Sequence, residues 1–301
     1  MCVCINTNGQ TWQIVGHAGT QAINNISFLT PDTGYAVNNY ELWKTTDGGK
    51  TWALNYKSDS GVIISLFFID AWHGWLCGGM LPPGYLMRTT DGGEHWKMQK
   101  GTVMQMYSCW FTSRKTGWAV ANDATRGYHY RYKTQNGGRN WELIDTAFDY
   151  LRYVTFLNKK YGWILGDNSR MFRTNNGGNS WKKYTIDGVH HFNSMQAITP
   201  KRLWAVEQFT SGLVYQSADG GRKWQQKIIS STAQVQALCF TTPLNGWLAC
   251  KEGRIFSTTN GGISWQSVPS PTALSLNSIS FSSPGVGYIG GDNGTILKVV
   301  Y

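Results

Sequence analysis

Apolar residues in this chain fall into short runs broken by turns rich in Gly, Asp, Asn and Ser, the pattern of many brief strands. Runs such as Leu42-Trp43-Lys44, Leu86-Met87-Arg88 and Arg254-Ile255-Phe256 each lead into the same kind of turn. These turns read TTDGGKTW (ending at Trp52), TTDGGEHW (Trp96), TQNGGRNW (Trp141), TNNGGNSW (Trp181), SADGGRKW (Trp224) and TTNGGISW (Trp265). A worn copy, NTNGQTW, opens the chain and ends at Trp12. Asp47, Asp91, Asn136, Asn176, Asp219 and Asn260 supply a short polar side chain that accepts hydrogen bonds from nearby N–H groups. The glycine pair after each permits positive φ, and the Trp opens the next strand with a ring able to wedge between sheets. These residues are read as structural.

A second signature alternates with the first: an apolar strand, a turn, then Gly-Trp or an equivalent, with its aromatic at Tyr35, Trp75, Trp118, Trp163, Trp204, Trp247 and Tyr288. From each turn Trp to the next such aromatic the separation is 22 or 23 residues, whereas the return distance varies from 17 to 23. Each unit therefore predicts four strands, A to D, with nearly all length variation in the B–C connection. The chain begins with a turn and a D strand (Thr11–Val15) and ends with strands Gly287–Ile289 and Thr295–Val300 but no closing D strand. Joining the ends completes a unit, and about 43 residues per unit suits a propeller blade. The expectation is an all-β, seven-bladed β-propeller of four-stranded antiparallel blades. The N-terminal strand completes the C-terminal blade, and residues 1–301 make one domain.

The turns resemble the Asp-box, or BNR, repeat. The combined pattern GWxxG…I/MxRTTDGGxxW is similar to the photosystem II assembly-factor family of seven-bladed propellers and its bacterial relatives. The resemblance implies a chain that holds a partner protein and catalyses nothing. Members of that family use a patch of arginines on one face. Here Arg88 and Arg173 precede their boxes, but Lys44, Lys133, Gln216 and Ser257 take the equivalent places, so that site is not carried over. Asp-box propellers also include sialidases and xyloglucanases, since a fold does not select a function.

Composition and charge refine the picture. Gly 35, Trp 15 and Tyr 15 with only 15% charged residues suit glycine turns and aromatic packing between sheets. The net charge of +10 is scattered without a run of four basic residues, so nucleic acid is a poor expectation. A protein is the expected partner, with a glycan as the second choice. No signal-peptide pattern or membrane-length apolar run is present, which leaves cytoplasmic, complex-associated (for example virion) or processed mature forms as the expected settings.

No cofactor or metal is expected. Cys77, Cys109, Cys239 and Cys250 lie in apolar runs, Cys2 and Cys4 lack companion ligands, and His190-His191 lacks a third. The sialidase set of arginines, Tyr and Glu has no signature here, and the loop aspartates Asp59, Asp123, Asp145, Asp149, Asp167, Asp187 and Asp292 form no telling pair for glycoside hydrolysis. No catalytic residue is named. Binding is expected on the B–C and D–A face, where loop length varies. The rim predicted there contains Met80, Pro82, Pro83, Tyr85, Arg126, Tyr128, His129, Tyr150, His191 and Phe209. Function is read as a non-catalytic protein-binding scaffold or assembly factor, with a carbohydrate-binding or glycoside hydrolase propeller as the alternative.

Overall fold

The computed structural model describes residues 11–59, 61–79, 84–99, 105–123, 126–147, 150–167, 169–187, 192–207 and 212–301. They form seven four-stranded antiparallel sheets arranged as the blades of a propeller. Blade 1 runs from Asn25–Phe28 (strand A) through Gly34–Val37 and Glu41–Thr45 to Ala53–Lys57 (strand D), and the next five repeat that order. Blade 7 takes Leu276–Ser283, Val286–Gly291 and Thr295–Val300 from the C-terminal end and borrows Gln13–His17 as its D strand. The register of that closure runs from Gln13 opposite Lys298 to His17 opposite Thr295. It was expected at Thr11–Val15; the pairing lies slightly further along, where the Ala18 N–H also donates to the Gly294 carbonyl at 2.8 Å. Closing the ring this way covers the edge that strand Thr295–Val300 would otherwise present. Among the described residues no helix is long and apolar enough to cross a membrane.

The box turns have a common internal logic. Thr45, Thr89, Thr134, Thr174, Ser217 and Thr258, two residues before the box Asp or Asn, are buried. Each accepts a hydrogen bond from the second glycine N–H, at 3.0 Å for Gly49 and 2.8 Å for Gly93. The Asp or Asn then accepts from the N–H four residues on: Thr51, His95, Asn140, Ser180, Lys223 and Ser264 in turn. Both glycines lie at positive φ, 76° and 88° for Gly48 and Gly49, a region open to glycine at no steric cost.

Packing between blades repeats too. The B-strand aromatic of one blade lies on a Phe that ends strand A of the next: Tyr35 on Phe68 (4.3 Å between centroids), Trp75 on Phe111 (3.5 Å) and Trp118 on Phe156 (4.2 Å). The box Trp meets the same Phe edge-on, as Trp141 does Phe111 at 80° and Trp52 does Phe28 at 89°. Trp12 does likewise against Phe281, so even the worn first box keeps its wedge. The Phe explains the glycine that precedes six of the seven B-strand aromatics. A Cβ on Gly117 would stand 2.5 Å from the Phe111 ring. In blade 5, Ala197 replaces the Phe and Leu203 replaces the glycine, and the two sit opposite each other in register.

Candidate functional site

The two faces of the ring differ in what their side chains are engaged in. On the box face, five of the seven B-strand aromatics have a basic residue opposite them, and several of these reach across to the next blade. Lys44 Nζ donates to the Gly92 carbonyl at 3.0 Å and pairs with Glu94. Lys133 lies over Trp118 and reaches Asn179, while Arg173 donates to the Pro200 carbonyl. Blade 5 has Gln216 at this place, and Arg202, one residue before Leu203, supplies the missing guanidinium to the carbonyls of Pro243 and Gly261. These cations are bolts between blades. Sequence comparison of the boxes alone missed Arg202, because it sits in the A–B turn, outside the box.

The opposite face is dominated by blade 3. Its B and C strands, Gly117–Asp123 and Tyr128–Thr134, have 7 residues each against 5 in blades 2 and 4. Two further residues per strand lift this hairpin by about 7 Å at the usual strand rise. Its pairing continues to Asp123 opposite Tyr128, and Asp123 accepts the Arg126 N–H at 3.1 Å. Arg126 is exposed and Tyr128 is 41% exposed.

Strand parity then turns His129 inward, where it is 6% exposed and its Nδ1 lies 2.7 Å from Asn122 Oδ1. Asn122 in turn donates to the Leu151 carbonyl of blade 4 at 2.8 Å and accepts the Leu151 N–H. Tyr150 is half-buried: its ring lies against His129, its hydroxyl meets that of Tyr107, and the Arg152 guanidinium covers it 5.2 Å from the centroid. Gln105 extends the chain by accepting from Tyr107 and donating to the Gly79 carbonyl of blade 2. Burial, then the Tyr150 hydroxyl, push the Tyr107 phenol well above its ordinary range, so it stays a neutral hydrogen-bonding group.

These positions revise the expected rim. Tyr85 is 3% exposed, its hydroxyl donating to the Val62 carbonyl at 3.1 Å, and it packs inside blade 2. His129 is likewise a support rather than a surface group, and Tyr150 offers only part of its ring. For Tyr85 and His129 the physical reason is shared: the strand runs further than expected, and its alternation turns the side chain inward. Met80, Pro82, Pro83, His191 and Phe209 lie outside the described residues. Of the expected residues, Arg126 and Tyr128 are the exposed ones on this face.

Two of the candidate carboxylates are held by arginines. Asp145 takes a two-point contact from Arg131, which also lies over Phe172, and Asp167 takes one from Arg152. A Tyr–Glu pair does exist, Tyr215 donating to Glu207 at 2.8 Å, yet both are buried within blade 5. Cys77, Cys109, Cys239 and Cys250 are free thiols, and among the described residues no group of His, Cys, Asp and Glu is placed to hold a metal. Down the axis runs a channel of about 470 Å³ lined by the A strands of all seven blades.

Comparison with known proteins follows the same lines. The family model for photosynthesis system II assembly factor YCF48 matches residues 5–144 and 133–231. A photosystem II assembly lipoprotein Ycf48 from Synechococcus sp. (strain CC9902) is 32% identical over 75 residues, a stretch that is 24% of this chain and 22% of that relative. Among solved structures, YCF48 bound to D1 peptide superposes with a TM-score of 0.78 at 22% identity, covering 96% of this chain and 97% of the other. YCF48 from Cyanidioschyzon merolae gives 0.77 at 17% identity over 96% and 98% of the two chains. At these identities the structural likeness concerns the fold.

Proposed function

The chain belongs to the photosynthesis system II assembly factor YCF48 family, and on that premise we propose that it is an assembly factor that works by holding a protein partner. The structure of a relative bound to D1 peptide supports a peptide segment as the partner's contacting part. The contact is assigned to the B–C and D–A face, and the observation that carries this is the overlong blade 3 hairpin. It raises Arg126 and Tyr128 above a floor of mutually bonded side chains: Asn122, His129, Tyr107 and Tyr150.

Such a floor holds the hairpin in one geometry before the partner arrives, which reduces the ordering cost of binding. Tyr and Arg are the residue types that dominate binding hot spots, the first for its rigid amphipathic area and the second for its planar donors. A guanidinium at the tip and a net charge of +10 favour a peptide with acidic groups.

The test is a titration of the full chain with a fluorescently labelled D1 peptide. Arg126→Ala and Tyr128→Ala are each expected to weaken binding about tenfold, the cost of one hot-spot contact, with the melting temperature within a few degrees of the parent. Ile263→Ala on the box face serves as the control and should bind as the parent does. If both hairpin variants bind normally while Ile263→Ala does not, the contact face is the other one.

A further inference from the structure

The axial channel is two-sided in its chemistry. Blades 2, 3 and 4 present Phe67, Trp110 and Tyr153, with the rings of Phe67 and Trp110 4.8 Å apart. The opposite wall, from blades 5 to 7, presents Ser194, Gln236 and Asn277. No charged side chain lines the channel among the described residues, although the chain as a whole carries +10. Asn277 Nδ2 donates to Asp292 at 3.0 Å and Gln236 Nε2 to the Val235 carbonyl, which holds these amides in place on the polar wall, while Ser194 Oγ is screened from solvent. On the aromatic side, burial pushes the Tyr153 phenol up to about 12, which keeps it a neutral donor at any physiological pH.

We infer that this channel binds a neutral carbohydrate of one or two rings. Three features select that class. A sugar ring has an apolar C–H face suited to the aromatic wall and a rim of hydroxyls that both donate and accept, as amides and hydroxyls on the opposite wall do. A charged ligand would lose its hydration in a site offering no countercharge. The volume of about 470 Å³ lies within the range of small-molecule sites. The site is separate from the hairpin rim proposed to hold a protein, and neither depends on the other.

The experiment is isothermal titration calorimetry of the full chain with cellobiose and methyl glucoside, beside glucuronate and glucosamine as charged analogues. Saturable binding of a neutral sugar is expected, with both charged analogues at least about tenfold weaker, the direction desolvation dictates. Trp110→Leu should weaken the neutral sugar at least about tenfold, within the stacking contribution of one aromatic. Gln236→Leu, which leaves the aromatic wall intact, should weaken it severalfold and covers the case in which Trp110→Leu fails to fold. Ile263→Ala should bind as the parent. Absence of saturable heat with both neutral sugars overturns the inference, as does binding that survives Trp110→Leu and Gln236→Leu, or charged analogues binding as well as neutral ones.

Discussion

Between blades 2 and 3, Trp75 lies flat on Phe111, Trp141 meets the same ring edge-on, and Gly117 leaves the space the Phe occupies. Between blades 4 and 5 the same wedge is filled differently. Trp163 and Trp224 share a cluster with Leu203 and Met171, and Ala197 stands where the Phe would be. Bulk has moved across one strand pair, from the end of strand A to the start of strand B. Both seams keep the B-strand Trp indole bonded to the next box, Trp75 to the Gly137 carbonyl and Trp163 to that of Gly220, each at 3.1 Å. The indole bond is particular to these seams, since Trp118 and Trp204 have no partner for Nε1 among the described residues. The contrast teaches that a seam constrains total volume, while the strand supplying it is free to change. Interiors at crystal-like density behave in this way.

The strongest way to break this comparison is to empty the standard seam. Phe111→Ala removes a ring that two tryptophans pack on, and it should destabilise the fold by about 3–5 kcal/mol in urea denaturation, as large-to-small core changes do. Trp141→Ala belongs in the same range. A loss below about 1 kcal/mol for Phe111→Ala would mean that the stacked rings contribute little and that the seams are held by something else.

The second test moves blade 5's solution into blade 3. Gly117→Leu alone should be destabilising, because its side chain enters the Phe111 ring. Combined with Phe111→Ala it should recover stability, with a coupling of about 1–3 kcal/mol in a double-mutant cycle. Strict additivity of the two changes would show that Ala197 and Leu203 are unrelated substitutions and that no volume was exchanged.

A smaller effect attaches to the bolts. Arg202 does in blade 5 what Lys44 and Arg173 do from strand C, whereas blade 6 has Ser257 there. Arg202→Gln should cost about 1 kcal/mol, since hydrogen bonds from a charged donor exceed neutral ones but this one is partly solvated. Ser257→Ala should be silent by the same measurement. Equal effects would make the Arg202 contacts incidental.

Much of this architecture was legible before any coordinates, and the reason is local. A box turn needs a hydroxyl, an Asp or Asn and two glycines at fixed offsets, so its letters recur wherever its geometry does. The interval of 22 or 23 residues was constant because it spans strands D, A and B, whose lengths are set by packing on neighbouring blades. Ring closure followed from a missing strand at one end and a spare one at the other. The Ala197–Leu203 exchange was visible as letters that break the pattern, yet its meaning needed the register that sets them face to face.

The rim was harder to read. Burial of Tyr85 and His129 depends on where a strand stops, and no turn signature marks that point in blade 3, where pairing runs on to Asp123 and Tyr128. The channel was invisible for a related reason: its walls are single residues from strands tens of positions apart, joined only by the ring.

The finest distinction lies among the boxes themselves. Hydrogen bonds from the Thr51 side chain and backbone hold the Asp47 carboxyl down at about 2, and bonds from Thr89 and His95 do the same for Asp91. At Asp219 burial works against ionisation, but the Lys223 N–H and the Ser217 hydroxyl outweigh it and keep that carboxyl low as well. Asn136, Asn176 and Asn260 make the equivalent bonds with a neutral amide. Each depressed carboxyl stabilises the fold above its unfolded value of about 3.9, and that contribution is lost as pH falls through the folded value. The melting temperature of the parent should therefore drop between about pH 4 and pH 2 by more than that of a variant carrying Asp47→Asn, Asp91→Asn and Asp219→Asn. Near neutrality the two should melt within a few degrees, because half of the well-formed boxes already use Asn. Parallel curves across the acid window would mean that the box carboxylates are held no more tightly in the folded chain than in the unfolded one.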